Sequence, residues 1–286
     1  MTFEELKESA QSGNVDAMEQ VGSLILRKAD ELIQNGEAEQ GYKTYEVAAS
    51  WFEAAAERES NFGCFGWAYT QDLLSTIDMI VGTFSETDWI PKLKQAINYC
   101  NQALGQNSDG DDRRDSLVNI RNNALMKLSL AYEHLPDPDS GFTTTKPDYE
   151  SSIRCLKDAI SNGCEGAKVL LGLTYFDVYC DVSNDENDLL NAFSLLSSTD
   201  ILSDAVTFSF FERGICARTQ AKALFALAIM YRTGVHGPTD LEKSFNLLNT
   251  IVSHDWGGEA DGMVSLAREE LAHYKTGLFG GLKYIE

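Results

Sequence analysis

Residues 163–175 read G-C-E-G-A-K-V-L-L-G-L-T-Y, and residues 223–235 read A-L-F-A-L-A-I-M-Y-R-T-G-V. Both place a small residue, a large apolar residue four positions on, a second small residue next, and an aromatic three later: Ala167, Leu171, Gly172, Tyr175 and Ala223, Leu227, Ala228, Tyr231. On a helix, positions i, i+4 and i+8 form one stripe, and a small residue at i+5 lets a second backbone approach closely. The same spacing recurs at Ala124, Leu128, Ser129, Tyr132 and at Ala17, Val21, Gly22, Ile25. Looser copies start at Gly63 (with Trp67, Ala68, Gln71) and Ala260 (with Val264, Ser265, Arg268). The starting positions 17, 63, 124, 167, 223 and 260 are unevenly spaced. Variable loops absorb such differences, because lengthening a loop costs little entropy.

A second helical pattern follows most copies: Ala48, Trp51, Phe52, Ala55, Ala56, then Ala96, Tyr99, Cys100, Ala103, Leu104. Further on come Ser152, Cys155, Leu156, Ala159, Ile160, and finally Ser244, Leu247, Leu248, Ile251, Val252. Gly13 and Gly163 each stand four residues before a copy, where glycine suits a helix C-cap. Prolines number only five, and strand-type alternation is absent, so the reading is all-α. Helices are predicted over 2–12, 15–34, 39–59, 62–80, 89–105, 113–134, 148–162, 165–178, 187–197, 201–213, 218–233, 240–253 and 258–275. Thr2 and Glu5 have the spacing of a capping box. Polar loops are read at 106–112, 136–147 and 180–187, with 136–147 as the flexible point. Repeats on both sides of it argue for one continuous array over 1–286.

These residues resemble the Sel1-like repeats, relatives of tetratricopeptide repeats, whose pattern runs A-x3-L-G-x2-Y, then G-x-G, then D-x2-K-A and an aromatic-rich second helix. Ala223 to Val252 carries Tyr231, Gly234, Val235, Asp240, Lys243 and Ser244 at about that spacing. The resemblance runs from Ser9 to Arg268, is strong in the copies at Ala167 and Ala223, and is weak over 180–219. It also departs at Gln71, where the family has an aromatic. It implies a right-handed α-solenoid of antiparallel helix pairs acting as an adaptor for proteins or peptides. A secreted branch bridges each repeat with two cysteines; that regular pairing is missing here, so neither its disulfides nor its activities are implied.

The chain has 286 residues, with 44 Asp+Glu against 23 Lys+Arg and a net charge of −21. That sign argues against nucleic acid and anionic lipid, which need a basic face. No apolar run reaches the ~20 residues of a membrane span, and the N-terminus has no signal-peptide pattern, so a cytoplasmic protein is expected. The six cysteines form no C-x-x-C and are expected to be buried free thiols. The four histidines are scattered near helix ends. Asn107, Asp109, Asp111 and Asp181, Ser183, Asp185 have EF-hand-like alternation but lack the glycine and the twelfth-position glutamate of a calcium loop. No catalytic site, metal or cofactor is expected.

The leading expectation is therefore a non-enzymatic scaffold that binds a protein or peptide with a basic segment on an acidic concave surface. The alternatives are a stoichiometric, immunity-type inhibitor of one enzyme and, further off, a hydrolase. Glu19, Gln20, Arg121, Lys127, Lys168 and Arg232 sit at first-helix positions that should face a partner, and the basic ones could take a partner's carboxylate terminus. A monomer is favoured. Trp51, Phe52, Trp67 and Tyr99 are read as core, and Trp89 and Trp256 as exposed. The apolar tail at 277–286 either caps the last helix or inserts into a second copy.

Overall fold

The computed structural model describes residues 1–84, 88–106, 113–133, 147–210, 212–276 and 281–285. Most of the loop read at 136–147, the first calcium-like triad and His134 lie outside them. The helices group into two units, Met1–Asp148 and Tyr149–Glu286.

In unit 1, α1 (Phe3–Gln11), α2 (Val15–Gln34), α3 (Ala38–Ala56), α4 (Asn61–Val81), α5 (Trp89–Gln106) and α6 (Arg114–Glu133) each pack on the next. In addition α2 touches α4 and α4 touches α6. That is the contact pattern of stacked helical hairpins: the first helices α2, α4 and α6 form one layer, and α3 and α5 form the other. Local chemistry sets the ends. The Thr2–Glu5 capping box is closed in both directions. Asn14 caps α2 through the Ala17 amide (3.0 Å), and Ser60 caps α4 through Gly63 (2.8 Å). Gly13 turns the chain between α1 and α2 at φ +100°, a conformation L side chains rarely adopt.

The small residues of the repeat are explained by their neighbours. A Cβ on Gly22 would stand 2.9 Å from the Phe52 ring, and one on Gly66 2.4 Å from it, so Phe52 fills a slot cut into both first helices. A Cβ on Gly63 would stand 2.6 Å from the backbone nitrogen of Ala56, which cannot swing away. Phe52 and Trp67 are buried, as read; Trp51 and Tyr99 are half-buried. Trp89 corrects its expectation: it is buried, and its indole donates to Asp78 Oδ2 at 2.9 Å. Tyr42 (3.4 Å) and Thr83 (3.2 Å) also donate to the Asp78 carboxylate, so the ring is held at a satisfied polar point.

In unit 2, α7 (Tyr149–Ser161) pairs with α8 (Glu165–Val178), which runs into a π-helical turn, Tyr179–Ser183. Next come α9 (Glu186–Ser198), the short α10 (Asp204–Phe208), α11 (Arg213–Thr233), α12 (Leu241–Ser253) and α13 (Asp261–Leu271). Here α8, α11 and α13 form the first-helix layer. Where Ala228 of α11 meets α12, the Ser244 hydroxyl donates to the Ala228 carbonyl (2.7 Å), a contact that a larger residue at either site would block. The core runs through Leu173, Leu196, Ala223, Leu227, Met230, Leu248 and Ile251.

Three expectations are corrected in unit 2. The helix read over 201–213 is confined to Asp204–Phe208, and α11 starts earlier than 218 because the Glu212 carboxylate accepts from the Gly214 (2.7 Å) and Ile215 (2.6 Å) amides. Trp256 is buried and donates to the Ile251 carbonyl at 2.8 Å. The helix read to 275 ends at Leu271: β1 (Tyr274–Thr276) pairs antiparallel with β2 (Leu282–Tyr284), and β2 lies on α12. Tyr284 meets Tyr274 edge-on (5.2 Å), which fits the capping reading of the tail.

Candidate functional site

The open face of α4 in unit 1 carries a row of half-buried aromatics. Phe62, Phe65 and Tyr69 are spaced at three and four residues, so they share one side of the helix. Phe62 and Phe65 lie 6.3 Å apart, and Phe65 stacks on Tyr69 at 6.0 Å with planes 7° apart. Phe62 also meets Phe52 of α3 edge-on at 6.1 Å, next to Gly66, so the row starts at the edge of the α3–α4 contact.

Carboxylates flank the row. Glu19 of α2 accepts a short hydrogen bond from the Ser60 hydroxyl at the start of α4. Asp30 of α2 accepts from Tyr45 Oη at 2.6 Å. Both accept from neutral hydroxyls rather than from a cation. Tyr69 senses Asp30: burial first, then the charges of Asp30 and Asp72, push its phenol up. Tyr45 is pushed up strongly by burial and by its bond to Asp30.

Asp72 differs. Lys127 of α6 donates to Asp72 Oδ1 (2.5 Å), the Asp72 carbonyl (2.7 Å), Thr76 Oγ1 (2.7 Å) and Ser75 Oγ (3.0 Å). Asn123 donates to the other carboxylate oxygen at 3.1 Å. Lys127 is 0% exposed, and burial lowers its pKa against the pull of Asp72. This corrects its place among partner-facing residues. Nearly every side of α6 is buried, so a first-helix position there is interior, and the cation ties α6 to α4. Asp72 is neutralised in place.

The other expected residues are dispersed. Gln20 is exposed on α2. Arg121 donates to Asn101 (3.0 Å). Lys168 is taken up by Glu165 on its own helix (2.7 Å). Arg232 sits 3.1 Å from Glu270 and under the Tyr284 ring (4.3 Å), so the hairpin already covers it. Only Glu19 is brought to the aromatic row. Arg113, its guanidinium 5.6 Å from the Phe62 ring, is a cation beside the row that sequence reasoning missed. The i, i+3, i+7 aromatic spacing was the available signal for the row itself.

Unit 2 has a cleft of about 530 Å³ where the ends of α8 and α11 meet α9 and the π-helical turn. Phe176, Tyr179, Leu189, Leu190, Met230 and Val235 supply its apolar lining. Cys180 also lines it and is the exposed thiol; the other five cysteines are buried. Burial and the Asp177 and Asp181 charges push the Cys180 thiol up, the opposite of what a nucleophile needs. Among the described residues no cluster of His, Cys, Asp or Glu could hold a metal ion, and no helix is long and apolar enough to cross a membrane.

No family model and no curated protein matches the chain. Among solved structures, it is similar to a Sel1 repeat protein from Oxalobacter formigenes, at 18% identity and a TM-score of 0.39, over 94% of this chain and 99% of that one. It is also similar to c5321, a protective antigen of uropathogenic Escherichia coli displaying an SLR fold. There the identity is 13% and the TM-score 0.30, over 94% of this chain and 60% of that one. The helical-repeat architecture described above rests on the packing of this chain's own helices.

Proposed function

We propose that the chain is a non-catalytic protein-binding module, and that unit 1 takes a basic segment of a partner across Phe62, Phe65 and Tyr69. The observation that carries this is a stacked aromatic row beside two carboxylates, Glu19 and Asp30, that accept from neutral hydroxyls rather than from a cation. Aromatic faces and nearby carboxylates both attract ammonium and guanidinium groups. Residues 1–148 carry 25 Asp and Glu against 12 Lys and Arg, so the wider field steers the same kind of partner. Arg113 closes the Phe62 end to further cations and sets the direction in which a basic segment would lie.

Fluorescence anisotropy with a short fluorescein-labelled arginine–glycine peptide tests this. Binding should weaken with added salt. Phe65→Leu should reduce affinity about three- to thirtyfold, the worth of a cation–π contact between exposed and desolvated limits. Asp30→Asn, which keeps an acceptor for Tyr45, should reduce both affinity and salt dependence. Salt-independent binding, or binding untouched by both variants, refutes the proposal. A single tight protein partner that ignores this face would favour the inhibitor reading instead.

A further inference from the structure

The unit 2 cleft plays no part in the peptide reading. Its body is apolar, and its volume of about 530 Å³ falls within the range of small-molecule sites. The charged side chain among its lining residues, Glu186, is acidic. Glu186 stands at the mouth and, among the described residues, makes no ion pair or side-chain hydrogen bond. No Lys, Arg or His lines the cleft. Lys222, whose charge reaches Cys180, is engaged by Asp177 at 2.8 Å. Ile229, Met230 and Thr233 belong to the last turn of α11, the end of a helix dipole that favours positive charge. The left-handed Gly234 ends that helix, and its amide and that of Val235 both turn back to the Met230 carbonyl (3.1 and 3.2 Å). Tyr179 and Cys180 of the π-helical turn also line the cleft.

We propose that this cleft binds a small amphipathic cation: an apolar body of drug-like size bearing one ammonium or guanidinium group. The body would fill the space between Phe176, Leu189, Leu190 and Met230, and the cation would meet Glu186 and the end of α11. The proposal is independent of unit 1, and its probes differ from the arginine–glycine peptide.

The test compares two fluorescent probes of similar bulk and opposite charge, dansylcadaverine with its primary ammonium and 8-anilinonaphthalene-1-sulfonate. Dansylcadaverine should bind with enhanced emission and should slow modification of Cys180 by Ellman's reagent, since Cys180 alone is exposed. Glu186→Gln should weaken dansylcadaverine about two- to fivefold, as for an exposed ion pair, and leave the sulfonate no weaker. Leu190→Asp should weaken it by about tenfold or more. Both side chains are exposed, so both variants fold. Three outcomes overturn the proposal: equal binding of the sulfonate with no effect of Glu186→Gln; saturation by dansylcadaverine without protection of Cys180; or protection of Cys180 by the arginine–glycine peptide and not by the amine, which would assign the cleft to a peptide.

Discussion

Lys127→Met removes the one fully buried cation among the described residues of unit 1. Methionine fills nearly the volume of the lysine stem, so no cavity complicates the result; what is lost is the charge and its bonds. Lys127 Nζ serves four acceptors between 2.5 and 3.0 Å, and two of them, the Asp72 carboxylate and carbonyl, belong to one residue. Removing it leaves Asp72 charged, 14% exposed, and supported by Asn123 at 3.1 Å. Stripping one partner from a buried pair costs about 3–5 kcal/mol. Partial water access to Asp72 places the cost near the lower end, about 3 kcal/mol. With a urea slope of about 2 kcal/mol/M, the midpoint should fall by about 1.5 M. Three of the four tryptophans, Trp51, Trp67 and Trp89, lie in unit 1, so urea unfolding followed by fluorescence reads that unit. Adding Asp72→Leu should recover most of the loss, because an apolar pair has no ion to desolvate. A loss below about 1 kcal/mol, or a double variant no more stable than the single one, would refute the view that this pair ties α4 to α6.

Gly63→Ala should destabilise by about 1–3 kcal/mol, because its Cβ would press on backbone that cannot swing away; Gly105→Ala, on the same scale, should stabilise by about 0.4–1 kcal/mol, since nothing lies near its Cβ. Thermal unfolding should show stability falling as pH rises from about 9 towards 12. Burial raises Cys100 and Tyr42 to about 12 and Cys216 to about 11, so the folded state holds protons that the unfolded state releases. Lys127 acts in the opposite sense but is one group against several, so a melting temperature that rises over this range would contradict the burial of these groups. Tyr284→Ala should cost about 1 kcal/mol in unit 2, read through Trp256, by removing the ring from Arg232 and Tyr274; no change would mean the hairpin caps nothing.

The repeat was legible because its signal is steric and local. Gly22 and Gly172 are small because Phe52 and Leu196 occupy the space, and helix boundaries followed from Thr2, Glu5, Gly13 and Gly163. The last copy failed in register: Ala267 is buried in α13 while Ser265 and Leu266 face out, since the helix starts at Asp261 rather than at the small residue Ala260. Trp89, Trp256 and Lys127 were misplaced for a shared reason. Each is a polar-tipped side chain buried against acceptors met through packing, Asp78, the Ile251 carbonyl, or Asp72 with its neighbours on α4, and no local pattern reveals such a partnership. Asp72 lies 55 residues from Lys127. The β-hairpin and the π-helical turn were missed because three-residue strands and a five-residue turn carry no periodicity to read.

The aromatic–carboxylate face of α4 is where a basic segment should attach. The most direct measurement is photo-crosslinking of the arginine–glycine peptide, with a benzophenone at its centre, to the full chain, followed by mass spectrometric mapping. Attachment should fall on α2 and α4, between Glu19 and Thr76, and be lost with Phe65→Leu. Attachment spread over the outward acidic side of α3, at Glu46 and Glu53, or confined to unit 2, would show that charge alone recruits the peptide and would contradict docking on the α4 face.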